Sequence, residues 1–183
     1  MIRILHSKHS HNNLRFEIPA RAFINAQIIQ NVRKTPDFLS AVNSVVDIYK
    51  QQGLEEYQFE NPAYVASLLY CLIVVPKELW ACSPDSPIYD EIRKLNIVPL
   101  FRINITSPKF DSDPAFGLIL CLRNSVAHAN YSVDSDMNFT FWNTPSSKKK
   151  DKTWEAFISA QSLMDFLSKV GSLLANKGLQ GEA

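Results

Sequence analysis

A chain of 183 residues is long enough to bury one sizeable core and too short to form two large domains, so we expect a single domain over residues 1–183. Hydrophobic residues make up 46% of the chain and charged residues 20%, a composition that excludes a disordered chain and favours a helix-rich globular domain. The net charge of +1 excludes a global field that attracts nucleic acid, so any such binding must depend on a local patch.

The cysteines and the apolar runs indicate a reducing, aqueous compartment. The three cysteines, Cys71, Cys82 and Cys121, are an odd number without close pairs, which favours free thiols in the cytoplasm over a disulfide framework. The first eleven residues turn polar after Leu5 and lack the apolar core of a secretory signal. The most hydrophobic run, Tyr64–Val75, falls well short of the roughly 20 residues that span a bilayer. We therefore interpret it as a buried helix and expect no association with a membrane.

The N-terminal region alternates weakly between apolar and polar residues. The pattern predicts two short strands, or one strand after a loose arm, before Pro19. The apolar members of this pattern are Ile2, Ile4, Leu14, Phe16 and Ile18. Between them lie His6, His9 and His11, which could hold a metal ion if the chain is extended. Because no cysteine or carboxylate stands nearby to complete such a site, we favour unligated histidines in a polar loop.

Prolines mark the predicted helix starts that follow. Pro19 suits the first turn of a helix that carries Ile24, Ile28 and Val32 at intervals of four. At four later positions a capping side chain stands immediately before a proline, which is a typical start of a helix. These positions are Thr35-Pro36, Asn61-Pro62, Ser86-Pro87 and Asp113-Pro114.

The helices that begin at Pro36 and Pro62 differ in their apolar faces. The first carries one apolar stripe and meets Gly53, a natural residue for a helix C-terminus. The stripe consists of Phe38, Val42, Val45 and Tyr49. The second helix is apolar nearly all round, so we predict that it is the central one.

The remaining pattern predicts a short helix, a hairpin and a closing helix. Between residues 80 and 113 the periodicity is poor, so we predict a short helix over Ile88–Leu95 and irregular connections that include Pro99–Phe110. The aromatic, alternating runs Asn138–Trp142 and Thr153–Ile158 predict a β-hairpin. An amphipathic helix closes the chain, with apolar residues spaced by three and four: Leu163, Phe166, Leu167, Val170, Leu173 and Leu174.

The stretch Cys121–Asn130 concentrates the polar chemistry of the chain. It holds His128, the only histidine beyond the first eleven residues, with Arg123 and Asn124 before it. On a helix with about 100° per residue, Asn124 projects about 100° and His128 about 140° from Arg123, so the three share one arc. Phe116, Leu120 and Ala127 project into the same arc. The opposite arc is apolar and is predicted to face the core: Ala115, Leu118, Ile119, Leu122, Val126 and Ala129.

A permanent cation, an amide and a titratable base on one arc suit a phosphate-bearing ligand. Asn124 and His128 are four residues apart, so the amide could brace the imidazole. Arg123 and His128 stand too far apart around the helix to close on one small ligand, so we interpret the stretch as half of a site. The alternative is a helix-terminal histidine favoured by the helix dipole, with Arg123 in a surface salt bridge.

These residues resemble the signature of the HEPN superfamily (higher eukaryotes and prokaryotes nucleotide-binding domain). The signature is an arginine, a polar residue that is often asparagine, three variable residues and a histidine, on a late helix of an up-and-down bundle. The run Arg123-Asn124-Ser125-Val126-Ala127-His128 satisfies every position, and the likeness in kind extends from about Pro19 to Asn176. In particular the chain resembles the small, stand-alone, plasmid-associated bacterial members. The resemblance implies a mainly α fold, an up-and-down HEPN-like bundle with a small β-hairpin before the last helix. The short N-terminal strand is an expectation from the alternating pattern alone.

The resemblance also implies an activity. Many HEPN proteins are metal-independent endoribonucleases that act through the RNA 2′-hydroxyl and leave a cyclic phosphate, some of them as toxins or defence effectors, and they need no cofactor. His128 would then act as general base or acid. Arg123 would hold the scissile phosphate through a charge-assisted fork, and Asn124 would position one of these groups or the phosphate.

The partners implied are RNA or a nucleotide and a second copy of the chain. In the family two motif helices usually face each other across a composite homodimer cleft, where Phe116, Leu120 and Ala127 would supply the contact. An antitoxin or a nucleotidyltransferase is a further candidate partner. Four lysines of the hairpin loop could steer RNA, although such a run is more often only a solvated loop: Lys148, Lys149, Lys150 and Lys152. HEPN-like bundles also occur as non-catalytic nucleotide-binding or scaffold modules, an alternative that the near-zero net charge favours.

Overall fold

In the computed structural model, which describes residues 14–53, 61–76, 84–144 and 151–180, the chain is mainly helical with a small sheet before its last helix. The helices are α1 (Leu14–Val32), α2 (Pro36–Lys50), α3 (Pro62–Leu69), α4 (Pro87–Lys94), α5 (Pro108–Ser112), α6 (Pro114–Ala127) and α7 (Ala160–Gln180). The strands are β1 (Arg102–Ile105), β2 (Tyr131–Val133), β3 (Phe139–Asn143) and β4 (Trp154–Ile158). This architecture confirms the predicted helical fold with a hairpin before the last helix.

The sheet contains the predicted hairpin and is larger than predicted. Strands β3 and β4 pair with Phe139 opposite Ile158 and Asn143 opposite Trp154. Strand β2 adds to β3 and β1 adds to β4, so the antiparallel order is β1-β4-β3-β2. The segment Pro99–Phe110, predicted to be irregular, therefore supplies an edge strand and the start of α5. Alternate residues of β3 and β4 are buried in the core: Phe139, Phe141, Trp154, Ala156 and Ile158.

The start of α1 differs from the prediction. Residues Leu14 to Ile18 are helical rather than extended, and Pro19 lies inside the helix instead of in its first turn. A proline at this point lacks the backbone N–H that would donate within the helix. The predicted strand residues Ile2 and Ile4 lie outside the described residues.

The predicted apolar stripe of α1 is wrong. Ile24 and Ile28 are exposed, and the buried residues are instead Ala20, Phe23 and Ala26. The cause is the close approach of α7, where a Cβ added to Gly171 would lie 2.1 Å from the ring of Phe23. A face built from alanines and one flat ring allows this approach, whereas a row of isoleucines would hold the helices apart.

The prediction of a central helix from Pro62 is confirmed, whereas the predicted stripe of α2 is not. Helix α3 continues through a π-helical turn, Tyr70–Val74, and together they contact α1, α6 and α7. In α2 the only buried residue is Val46, while Val45 and Tyr49 of the predicted stripe are more than half exposed. Within the described ranges, no helix combines the length and the apolarity needed to cross a membrane.

All four predicted capped starts begin helices. The side chains of Thr35, Asn61 and Asp113 each accept a hydrogen bond from the N–H three residues later, at 3.4, 3.0 and 3.1 Å. At Ser86 the helix begins as predicted, but the side chain makes no capping bond. A fifth start of this kind, Ser107-Pro108, begins α5 and was not predicted, because a five-residue helix leaves no periodic signal.

Asp113 caps the start of α6 and also links α6 to α4. Its Oδ2 accepts a hydrogen bond of 2.6 Å from Nη2 of Arg93, whose Nη1 lies 2.7 Å from Oδ1 of Asp90. Burial alone would raise the pKa of the Asp113 carboxyl, but hydrogen bonds from Arg93 and from the N–H of Phe116 outweigh it and lower that pKa. The carboxylate therefore stabilises the fold as long as it is ionised.

Replacing Asp113 by asparagine should weaken the protein at neutral pH and not in acid. Asparagine still accepts the capping bond but cannot form the ion pair, so we expect a loss of about 1 kcal/mol at pH 7. Because the pKa of Asp113 is lower in the folded state, its ionised carboxylate stabilises the folded protein fully at pH values above the unfolded-state pKa of about 3.9. This stabilisation is lost as the pH falls through the lower folded-state pKa. Urea unfolding between pH 7 and pH 3 should show the gap to wild type closing below about pH 4.

The matched control is Asp90→Asn, because the carboxylate of Asp90 contacts the same Arg93 but is 68% exposed. It should change the stability by a few tenths of a kcal/mol at most. A gap for Asp113→Asn that stays constant from pH 7 to pH 3 would contradict the role given to the ionised Asp113.

Candidate functional site

The C-terminal end of α6 carries the predicted motif, with one correction. Arg123 and Asn124 lie in its last turns, but α6 ends at Ala127 and His128 is the C-cap, with φ −106° and ψ 10°. The backbone N–H of His128 still bonds the carbonyl of Asn124 at 3.1 Å. His128 therefore projects from the helix end and does not continue the arc of a regular helix.

The chain turns sharply after His128. The N–H of Asn130 bonds the carbonyl of Ser125 at 2.8 Å and that of Ala129 bonds Val126 at 3.2 Å, which together form a Schellman motif. Ala129 occupies the left-handed position with φ 53°, where glycine is usual and another residue costs about 1 kcal/mol. Ala129 is therefore exposed, so the prediction that it faces the core is wrong. The other five residues of the predicted core stripe are buried: Ala115, Leu118, Ile119, Leu122 and Val126.

Hydrogen bonds tie this helix end to strand β3. The hydroxyl of the fully buried Ser125 lies 2.9 Å from the carbonyls of Cys121 and Trp142 and 3.1 Å from Oδ1 of Asn143. The amide of Asn143 donates to the carbonyl of Cys121 at 3.2 Å, and the N–H of Trp142 donates to the carbonyl of Asn130 at 3.0 Å. The position of His128 relative to the hairpin is therefore well defined.

The three polar residues of the motif do not pair as predicted. Nη1 of Arg123 donates to Oδ1 of Asn124 at 2.8 Å, and both side chains are half-buried. The carboxamide oxygen of Asn124 thus pairs with the guanidinium and does not brace the imidazole. The side chain of His128 is exposed and makes no hydrogen bond or ion pair within the described part of the chain.

A cleft of about 440 Å³ opens beside the helix end. The end of α6, the base of the β3–β4 hairpin and the start of α5 form its three walls. Asn124 and His128 line it, whereas Arg123 does not and meets it only through its bond to Asn124. The other lining residues are Ser107, Pro108, Lys109, Leu120, Cys121, Asn130, Asn143, Thr144, Thr153 and Trp154. Sequence reasoning missed the polar residues of the α5 and hairpin walls because they come from separate segments, although the Ser107-Pro108 pair was a local signal for the α5 wall.

Comparison with protein families gives one match. A family model described as HEPN pEK499 p136 matches residues 8–180. The chain belongs to the HEPN pEK499 p136 family. No curated protein and no solved structure matches the chain. The match confirms the HEPN resemblance, and the motif at the end of α6 lies within the matched residues.

The three residues predicted to contact a second copy of the chain differ in their exposure to solvent. Ala127 is exposed at the end of α6, and Leu120 is half-buried on the wall of the cleft. Phe116 is also half-buried, but its ring packs edge-on against Tyr89 at 4.8 Å between centroids. Phe116 therefore contributes to packing within one protomer, and Ala127 offers the most open surface.

Of the four loop lysines, only Lys152 lies within the described residues. Its ammonium pairs with Glu155 and stands 5.0 Å from the centroid of the Trp142 ring. The hydrogen bond from Lys152 also contributes most to the lowered pKa of the Glu155 carboxyl. Lys152 is therefore held at the hairpin base. Lys148, Lys149 and Lys150 lie outside the described residues.

The described cysteines and acidic groups offer no alternative centre. Burial raises the pKa of the Cys71 thiol and of the Cys121 thiol, so both remain protonated at neutral pH and are poor nucleophiles. No three histidine, cysteine or carboxylate side chains gather as metal ligands in the part of the HEPN chain that the structure describes. His6, His9 and His11 lie outside that part, so the interpretation that they are unligated histidines of a polar loop stays a prediction.

Proposed function

We propose that this HEPN protein is a metal-independent endoribonuclease whose active site is completed by a second copy of the chain. One observation supports this proposal most directly. The exposed imidazole of His128 stands at the mouth of a cleft that Asn124 also lines, and the guanidinium of Arg123 lies 2.8 Å from Asn124. A proton-transfer group and an amide thus lie at one concave surface, and a cation is bonded to that amide from outside the cleft.

Cleavage through the 2′-hydroxyl needs two proton transfers. A base removes the proton of the 2′-hydroxyl, the 2′-oxygen attacks phosphorus, and the 5′-oxygen leaves with a proton from an acid. The product is a 2′,3′-cyclic phosphate, and water enters only if this ring is later opened. An imidazole can serve in either role near neutral pH, and the guanidinium of Arg123 can stabilise the extra negative charge on the phosphorane.

The number of imidazoles supports a composite site. His128 is the only histidine in the described part of a protomer, whereas the reaction uses one base and one acid. Two copies that meet at the end of α6 would supply both groups across a two-fold axis. Leu120 and Ala127, on the same side of the helix end, would provide the contact.

An arginine at position 127 should separate the two copies without unfolding either. Ala127 is exposed, and arginine is tolerated in the last turn of a helix, where its charge complements the helix dipole. At a two-fold axis it would meet its own copy, and two unpaired like charges oppose association. We expect light scattering to report two chains for wild type and one for Ala127→Arg, with RNA cleavage lost in parallel.

Ala41→Arg is the matched control, because Ala41 is exposed on α2, far along the chain from the motif. It should remain dimeric and active. A wild-type protein that is monomeric at micromolar concentration would contradict the composite site.

The proposed reaction has a chemical signature of its own. Purified protein should cut single-stranded RNA in excess EDTA and leave cyclic phosphate ends. Cleavage that EDTA abolishes, or that leaves 5′-phosphate and 3′-hydroxyl ends, would contradict the mechanism, because attack by the 2′-oxygen cannot produce such ends. An RNA-cleaving enzyme of this kind endangers its own cell, which fits a cytoplasmic toxin or defence effector kept in check by an antitoxin.

A further inference from the structure

The cleft beside His128 extends beyond the motif and has a one-sided chemistry. Its lining residues include a lysine, Lys109, two residues with hydroxyls, Ser107 and Thr144, and an amide residue, Asn130. None of the described lining residues is acidic. A site with a cation, several hydrogen-bond donors and no carboxylate suits an anionic, acceptor-rich ligand.

Lys109 is the only cation among the described lining residues, and its backbone is held rigidly. At Gly117, α6 touches the main chain of α5: an added Cβ would lie 2.7 Å from the carbonyl oxygen of Lys109 and 2.4 Å from Cα of Phe110. The side chain of Lys109 is exposed above this contact. The structure therefore fixes the backbone of Lys109 and leaves its side chain exposed at the edge of the cleft.

The positive field of Lys109 reaches into the cleft. Burial raises the pKa of the Cys121 thiol overall, while the ammonium of Lys109 acts on that sulfur in the opposite direction. Cys121 lines the same cleft, with its sulfur 3.8 Å from the hydroxyl of Ser107. An anion in the cleft would therefore experience the attraction of Lys109 in a partly desolvated setting, where it is stronger than in water.

The hairpin side of the cleft contains a buried hydrogen-bond donor without a partner among the described residues. Trp154 is fully buried and lines the cleft, and its indole N–H has no acceptor among the described residues. Buried donors are almost always satisfied in folded proteins, so a lone one beside a cleft points to a ligand that brings an acceptor. The volume of about 440 Å³ is within the range of sites for small molecules and suits a single nucleotide.

We infer that this part of the cleft binds one nucleotide of a single-stranded RNA, with its phosphate on Lys109 and an acceptor of its base or sugar directed towards Trp154. The inference rests on the proposed ribonuclease function, because it assigns the cleft to the RNA nucleotide next to the scissile bond. Its content is separate: Lys109 and Trp154 lie outside the motif, and binding needs no reaction at His128.

The indole N–H signals of a ¹⁵N-labelled protein allow a direct test. The chain has three tryptophans, so the Trp154 signal can be assigned with the variants Trp80→Phe, Trp142→Phe and Trp154→Phe. A nucleoside 3′-monophosphate, which has no leaving group and is not cleaved, should shift the Trp154 signal saturably. Lys109→Gln should raise the dissociation constant about tenfold, the effect of losing one hydrogen bond to a charged group.

Lys50→Gln is the matched control, because Lys50 is an exposed lysine on α2 that does not line the cleft. It should leave the dissociation constant unchanged. The corresponding nucleoside and inorganic phosphate should each bind at least tenfold more weakly than the monophosphate, since each lacks one half of the recognised unit. A nucleoside or a phosphate that binds equally well, or a Lys109→Gln protein with wild-type affinity, would overturn the inference.

The two proposals fail in different ways. A protein that binds the 3′-monophosphate through Lys109 but cuts no RNA would refute the ribonuclease and keep the nucleotide subsite. A protein that cuts RNA through His128, with a KM that Lys109→Gln leaves unchanged, would keep the ribonuclease and refute the subsite. If both proposals hold, Lys109→Gln raises KM several-fold and leaves kcat nearly unchanged, because it weakens binding and not the proton transfers.

Discussion

Replacement of His128 by alanine should reduce RNA cleavage in EDTA by about 10²- to 10⁴-fold, the range expected for the loss of a general acid or base. In a two-fold site one substitution removes both imidazoles, so the upper part of this range is expected. Arg123→Ala should cost about 10²- to 10³-fold through the loss of charge stabilisation at the phosphate. Both losses should fall mainly on kcat, because the two groups act on the transition state.

The His128 variant is interpretable because the side chain contributes little to the stability of the fold. His128 is exposed and serves as the C-cap of α6 through its backbone. Gln51 occupies the same position at the end of α2 and is also exposed, so Gln51→Ala reproduces the structural change away from the cleft. Both alanine variants should unfold at the wild-type temperature within a few degrees, and only His128→Ala should be inactive.

Arg123 needs a control for the loss of a guanidinium charge. Arg102 on β1 is an exposed arginine whose guanidinium carbon lies 4.7 Å from the centre of the Phe157 ring, outside the cleft. Arg102→Ala removes an equal charge and should keep activity. Arg123→Lys keeps the charge but not the planar fork, so it should recover only part of the loss.

Cleavage that survives His128→Ala, in protein free of contaminating nuclease, would end the assignment of His128. A wild-type protein that cuts no single-stranded RNA but binds mononucleotides would instead indicate the non-catalytic HEPN module. The same set of variants therefore separates an enzyme from a binding module.

The parts of this molecule that could be predicted from sequence are those with local causes. A capping side chain before a proline acts within one helical turn, and each of the four such pairs begins a helix. The motif residues are close in sequence, so their common location at one helix end was also predictable. The HEPN family match over residues 8–180 is consistent with both.

The errors arose where distant segments decide the outcome. Ile24 and Ile28 give α1 a regular apolar stripe, but the contact of Gly171 with Phe23 turns a different face inward. The helical wheel placed His128 on the arc of a regular helix, whereas the Schellman turn at Ala129 ends α6 before it. Hydrophobic periodicity cannot show how closely two backbones approach.

The cleft shows the same limitation. Its walls come from three segments, represented by Lys109, Asn130 and Trp154, and none of these residues carries a pattern by itself. Strand β1 escaped prediction because it is a four-residue edge strand, with its register broken between Ile103 and Ile105. The position of β1 beside the motif follows from its pairing with β4, which is distant in sequence. The position of α5 follows from its backbone contact at Gly117, which depends on packing.

Gly117→Ala should both destabilise the protein and displace the α5 wall of the cleft. In a helix with free space, alanine is favoured over glycine by about 1 kcal/mol. At Gly117, however, the new Cβ would lie 2.4 Å from Cα of Phe110 and 2.8 Å from its backbone nitrogen, so α5 would have to move. Overpacking costs about 1–3 kcal/mol, and a clash with main-chain atoms belongs at the upper end of that range. After subtraction of the gain of about 1 kcal/mol from alanine, we expect a net loss of roughly 2 kcal/mol in urea unfolding, with weaker nucleotide binding through the displaced Lys109.

Gly171→Ala provides the matched comparison, because the obstacle there is a side chain and not a backbone. Its Cβ would lie 2.1 Å from the ring of Phe23, so it should also be destabilising, and Phe23→Leu should recover part of that loss. Phe110→Ala should recover nothing for Gly117→Ala, since the atoms in the way belong to the main chain of α5. A Gly117→Ala protein as stable as wild type, or one rescued by Phe110→Ala, would mean that α5 is free to move, and the cleft wall that carries Lys109 would then lack the rigid support inferred for it.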